Sequence, residues 1–191
     1  MPAKLINAPT VEPVSLVEAT AHLYVTHSDD DALISAYIAA AREDAERRLG
    51  RALISQTWEL ALEAFPSAIE LPNPPLVSVT SIKYLDTAGV EQTLDPSQYL
   101  VDTDSVPGAV VPAYGASWPS IRVQRNAVRV RYVAGYGADG SFVPASIRQW
   151  ILLRTGALYE NRESAVSGQP IHDAPRDFAD ALLDAYRVLK F

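Results

Sequence analysis

The chain contains no cysteine. That removes disulfides, thiolate metal sites and cysteine nucleophiles, and it fits a reducing compartment. Histidine is scarce: His22, His27 and His172 have no partner at metal-ligand spacing on one helix or strand, so surface or half-buried positions are expected for them. No run of about 18 apolar residues is present, so no membrane span is expected. The opening MPAKLINAPTVEP lacks the apolar core of a secretion signal. Positive charge is in deficit, with 16 Lys and Arg against 23 Asp and Glu, a formal net charge of −7. Such a balance disfavours tight non-specific DNA binding, which requires neutralised phosphates. Neither an internal repeat nor a low-complexity tract occurs.

What is present is apolar content of 48% over 191 residues, enough to bury a core in one large domain or two small ones. The strongest periodic stretch is Ser28 to Gly50. Leu33, Ile34, Tyr37, Ile38, Ala41, Ala45 and Leu49 fall on one helical stripe. Ser28 or Asp29 is positioned to cap it, acidic residues suit its first turn, and Gly50 supplies a left-handed stop. The opposite face carries Arg42, Glu43, Asp44, Glu46, Arg47 and Arg48, and a solvated surface is the ordinary expectation for it.

Residues 1–14 are Pro-rich and polar and read as an extended arm with few internal partners. Ser15 and Glu18 make a capping box for a short helix bearing Leu16, Ala19, Thr20 and Leu23. From Gln56 the period changes to two. Trp58, Leu60 and Leu62 alternate with Glu59 and Glu63, which means a strand. Leu71 to Pro75 reads as a rigid extended connector. Val77–Leu85 and Val90–Leu94 read as a hairpin about the turn at Asp86–Gly89. Strands follow at Tyr99–Val101 and Ala109–Val111, the second within a long loop. In Ala127–Val133, Val128, Val130 and Tyr132 alternate with Arg129 and Arg131. Pro144 restarts helix, with Ile147, Trp150, Ile151, Thr155 and Leu158 on its stripe; Gly156 is expected to permit close packing. Residues 164–173 read as loop. Pro175 opens a last helix with Phe178, Ala181, Leu182, Ala185 and Leu189 on one side.

The fold class is therefore α+β: an antiparallel helical core of about four helices from both chain ends, residues 15–55 plus 143–191. Residues 56–142 form a central β-rich insertion, and residues 1–14 are the arm.

Chemistry does not emerge from the motifs. Asp29–Asp31 is explained by helix capping, since a calcium loop needs ligands alternating over about twelve residues. Asp102 and Asp104 lie in a loop, where a weak cation is the alternative to an ordinary turn. Glu59 and Glu63 lie on an exposed strand face. The glycine-rich Ala134–Gly140 lacks the lysine of a phosphate loop, and no Gly-x-Ser-x-Gly is found. No catalytic residue, cofactor site or metal site is expected. Arg122, Arg125, Arg129 and Arg131 are the one basic concentration, either a solvated sheet face or a docking surface for an acidic partner or phosphate.

Several segments, in collinear order, resemble the head–tail connector (adaptor) proteins of long-tailed bacteriophages and prophages, the subgroup with an inserted β region. They are Ser15-Leu-Val-Glu-Ala-Thr-Ala-His-Leu23, Asp31-Ala-Leu-Ile-Ser-Ala-Tyr-Ile-Ala-Ala-Ala-Arg42, Gly50-Arg-Ala-Leu53 and Gln56-Thr-Trp58. In the β region they are Leu71-Pro-Asn-Pro-Pro-Leu-Val-Ser-Val79, Pro107-Gly108 through Trp118-Pro119, and Ala127-Val-Arg-Val-Arg-Tyr-Val-Ala-Gly-Tyr-Gly137. Tyr159-Glu-Asn-Arg-Glu163 and Leu182-Leu-Asp-Ala-Tyr-Arg187 complete the set. Each is weak alone; their order from Ser15 onward is what is specific. Ala185 departs from the proline of the family's closing motif, which implies a straighter final helix.

The resemblance implies a structural, non-enzymatic subunit without cofactors. It would form a ring with its own copies, commonly a dodecamer, beneath the portal protein. The ring would extend the DNA channel, let DNA pass without specific binding, and dock the tail or stopper protein. It implies synthesis in the bacterial host cytoplasm, residence at the head–tail junction of the virion, and no membrane partner. Contacts between subunits or with partners are expected at Arg42, Arg47, Arg48, Arg129, Arg131 and Phe191. The alternatives are another phage neck or tail-completion protein, or a β-type binding module without catalytic activity.

Overall fold

The computed structural model describes residues 3–161 and 176–188. The expected loop at 164–173, His172, the Pro175 helix start, Leu189 and Phe191 lie outside these residues, as does the side chain of Phe178. The chain divides into two compact units, residues 1–10 with 54–136 and residues 11–53 with 137–191.

The second unit is helical. Helix α1, Leu16–Leu23, opens on the expected capping box: Ser15 Oγ accepts from the Glu18 amide at 3.2 Å, and Glu18 Oε2 accepts from the Ser15 amide at 2.9 Å. Helix α2, Asp31–Leu49, buries Ile34, Ile38, Ala41, Ala45 and Leu49 and stops at Gly50, whose φ is 65°. Its cap is Asp30, not Ser28 or Asp29. The Asp30 carboxylate accepts a 2.5 Å bond from the Tyr159 hydroxyl, so a tertiary contact fixes the helix start.

Helix α3, Ala145–Glu160, buries Ile147, Trp150, Ile151 and Thr155. In α4, Arg176–Asp184, the buried position is Leu183, whereas Ala181 is exposed and Leu182 half-buried. Asp180, one turn earlier, sets this rotation: Trp150 Nε1 and Arg48 Nη1 both donate to its carboxylate at 3.1 Å. The helix also ends at Asp184, before Ala185, instead of running straight on. Arg51 takes the Tyr186 carbonyl at 2.5 Å and the Val188 amide reaches the Leu49 carbonyl at 2.9 Å, so contacts with the end of α2 replace the helical bonds. The helices from the two chain ends thus pack as one core.

The other unit is all β and antiparallel. Its strands are β1 (Lys4–Asn7), β2 (Gln56–Leu62), β3 (Ile69–Leu71), β4 (Leu76–Leu85), β5 (Glu91–Thr93), β6 (Tyr99–Asp102), β7 (Gly108–Pro112) and β8 (Val128–Ala134). They form a five-stranded sheet of order β1-β2-β8-β4-β5 and a three-stranded sheet of order β3-β7-β6. Period two in β8 is strict: Val128, Val130, Tyr132 and Ala134 are buried, Arg129 and Arg131 exposed. Leu60 pairs with Val130 and Ile82 pairs with Val130 from the other side, so one apolar row crosses three strands. The Tyr132 hydroxyl donates to the Pro72 carbonyl at 3.0 Å, and burial pushes its pKa well up.

Residues 4–7 of the N-terminal arm are the edge strand β1, with Lys4 opposite Glu59 and Leu5 opposite Trp58. The connector after Leu71 turns at Asn73, which adopts φ 60°, a region asparagine tolerates better than most residues. Gly135 is required where it stands: at φ 143° an added Cβ would lie 2.5 Å from the Ile54 carbonyl carbon and oxygen.

Candidate docking surfaces

On α2 the charged residues do not form one solvated face. Arg42 is 8% exposed. Its Nε donates to Glu12 and its Nη1 to Glu46, both at 2.8 Å. The arm residue Glu12 is therefore an internal counter-charge, which the Pro-rich sequence gave no local sign of. Asp44 is 7% exposed and collects three arginines: Arg47 Nη2 at 2.6 Å, Arg48 Nε at 3.1 Å, and Arg154 Nε at 3.4 Å. Burial pushes the Asp44 carboxyl up, but the hydrogen bonds from Arg47 and Arg48, with the charge of Arg154, outweigh it and hold its pKa below the ordinary range. Arg48 also stands over the Trp150 ring, 5.5 Å from its centroid.

Arg47 and Arg48 are thus brought together and remain partly accessible, the Arg47 side chain at 80%. Arg42 is apart from them and inward. Arg148, which sequence reasoning did not single out, binds the Pro13 carbonyl at 3.1 Å and the Glu18 carboxylate. Bonds from Ser15 hold the Glu18 carboxyl below its ordinary pKa, against a small burial penalty and with help from Arg148.

In the β unit, Arg129 and Arg131 share the outer face of the sheet's central strand. Arg131 bonds Glu59 across the strand pair at 3.0 Å. Lys83, beside Arg129 in register, bonds Glu91 at 2.8 Å. Arg129, Lys83 and Glu91 line a shallow depression with Tyr84, Leu85, Asn126 and Ala127. Arg122 borders it: its amide donates to the Leu85 carbonyl at 3.1 Å and its side chain lies against Gly89. Asp102, the loop carboxylate, caps its own turn by accepting from the amides of Asp104 and Ser105 and from the Ser105 hydroxyl.

Phe65 stacks on Trp118 with centroids 4.8 Å apart, and Trp118 Nε1 donates to the Pro66 carbonyl at 2.7 Å. These contacts anchor the long loop whose tip exposes Tyr114 completely. Among the described residues no group of three or more His, Asp or Glu side chains is placed to hold a metal ion, and no helix is long and apolar enough to cross a membrane.

No curated protein sequence matches the chain. Solved structures do. A chain in the virion of the native gene transfer agent particle is 26% identical, with a TM-score of 0.80, covering 100% of this chain and 97% of that one. Chains in the neck of the empty particle, determined with C6 symmetry, and of the native particle, determined with C12 symmetry, are each 27% identical with the same coverage. Their TM-scores are 0.80 and 0.78. Residues 13–93 match the phage gp6-like head–tail connector family, and that segment runs from the α1 capping box through β5. Over residues 13–93 the chain is similar to that family, and together with the whole-chain similarity to neck subunits this supports a structural head–tail connector subunit.

Proposed function

We propose that this chain is the subunit of a ring at the head–tail junction, seated beneath a portal protein. In this reading the ring extends the DNA channel and offers the surface on which a tail or stopper protein assembles. The observation that carries it is correspondence over the whole chain with a subunit from a neck determined with C12 symmetry. A dodecamer is accordingly the proposed number. The role is structural, without a catalytic step or a cofactor. The protein resides in the virion and is made in the host cytoplasm.

Charge agrees with passage of DNA through the ring. A chain at −7 does not neutralise phosphates in bulk, so DNA slides past without specific binding. Ring closure needs head-to-tail contact between two different patches of one subunit. Arg47, Arg48, Arg129 and Arg131 are accessible enough to serve; Phe191 is proposed from the sequence alone. Arg42 acts indirectly, by fixing Glu12 and Glu46.

The test is negative-stain imaging of the purified protein with and without portal. Rings stacked coaxially on the portal are expected. Monomers that never add to the portal would refute the assignment and would favour another position in the neck or tail.

A further inference from the structure

Cations are divided unequally between the two units. Every described arginine side chain of the helical unit has an acidic or carbonyl partner: Arg42, Arg47, Arg48 and Arg154 on carboxylates of α2 or the arm, Arg148 on Glu18, Arg187 on Asp184, Arg51 on Tyr186. In the β unit, Arg122, Arg125 and Arg129 are exposed and have no carboxylate within ion-pairing distance among the described residues. Arg129 lines the depression at the β4–β5 end of the five-stranded sheet with Lys83, Arg122 lies against Gly89 beside it, and Arg125 directly precedes Asn126, which also lines it. Burying such a group against apolar surface would be costly, so a partner for it must be acidic.

Most of the acid excess lies in the helical unit, where fifteen Asp and Glu stand against ten Lys and Arg in residues 11–53 and 137–191, compared with eight against six in the β unit. The Tyr159–Asp30 bond draws the start of α2 to the end of α3. Asp29, Asp30, Asp31 and Glu160 therefore share one pole. No basic residue occupies the last turn of α3, whose own dipole is negative there. Among the described residues, the ion-pair partner of Asp29 is the distant His27 ring, at 3.9 Å.

We infer that the arginine cluster of Arg122, Arg125 and Arg129 is a docking surface for the acidic helical unit of a neighbouring copy of this chain. The inference rests on the ring reading and deepens it. Two unlike, complementary patches on one chain are what a head-to-tail ring requires. Subunits of −7 repel one another, and local pairing of opposite charges offsets that repulsion and fixes register. DNA is the rival occupant of a basic surface, and the test separates the two.

Three chains are compared for portal-templated ring assembly by negative stain and sedimentation: wild type, R122E/R125E/R129E, and that triple variant with D29K/E160K added. Circular dichroism checks that each is folded. Wild type is expected to form rings whose yield falls as salt rises, because exposed charges are screened over about 8 Å at physiological ionic strength. The triple variant is expected to lose at least about tenfold in ring yield, and the compensated chain to regain most of it. Undiminished assembly by a folded triple variant overturns the inference and leaves the ring reading intact, as does failure of the compensated chain to recover. A DNA mobility shift by wild type, lost in the triple variant while rings persist, assigns the patch to nucleic acid instead. If wild type forms no ring with portal, the ring reading falls and the inference with it.

Discussion

Gly156 sits inside α3, where glycine costs about 0.8–1.0 kcal/mol relative to alanine because its backbone loses more freedom on folding. The sequence suggests a packing reason for it. The structure removes that reason. A Cβ built at Gly156 would stand 3.6 Å from Leu23 Cδ2 and 3.8 and 3.9 Å from the His22 ring, all ordinary van der Waals separations. Nothing must move, and no positive φ is involved. Gly156→Ala should therefore recover the propensity term nearly whole, a gain of about 1 kcal/mol. For a chain of this size that is a rise of roughly 2–4 °C in melting temperature. Urea unfolding followed by circular dichroism gives the cleaner measure, as a higher midpoint with an unchanged slope. A lower midpoint would refute the reasoning. It would mean that α1 approaches α3 more closely than described, and that glycine is there to admit it.

Gly135→Ala should do the opposite, because Cβ would overlap the Ile54–Ser55 backbone at 2.5 Å; a loss of about 3 kcal/mol or more, seen as poor soluble yield, is expected, and near-normal stability would contradict it. Glu12→Gln should cost about 1 kcal/mol in urea, discounted because Glu12 is partly exposed while Arg42 is buried; a change within error would show that Glu46 alone suffices for Arg42. For the same reason, removing residues 1–12 deletes both β1 and this counter-charge, and thermal melting should show a destabilised chain, not one trimmed of a free tail. The lowered pKa of Asp44 gives stability that is full above the ordinary carboxylate value of 3.8 and drains away as pH falls through the lower folded value. Asp44→Asn should cost about 3 kcal/mol at pH 7 and flatten the stability profile on the acid side of pH 4; an unchanged acid limb would show that other carboxylates set it.

Local periodicity determined most of the architecture. The stripe from Ile34 to Leu49, the capping box at Ser15 and Glu18, and the alternation through β8 each needed only neighbours in sequence, and each stands in the structure where its period puts it. The collinear order of these segments was also enough to point to the connector family. What the period could not carry was the rotation and pairing of elements whose partners are distant. Helix α4 turns Leu183 inward because Asp180 is held by Trp150 and Arg48, residues 30 and 132 positions away. The first residues lack a strand's alternation, yet they pair with β2 because that edge offers open hydrogen-bonding groups. Charge was the least legible property. Arg42 and Arg47 are both basic residues on one helix, but Glu12 and the packing around α2 bury the first, while the second stays in solvent. A side chain's charge is written in the sequence; whether that charge meets water, a carboxylate or another subunit is decided by tertiary distances.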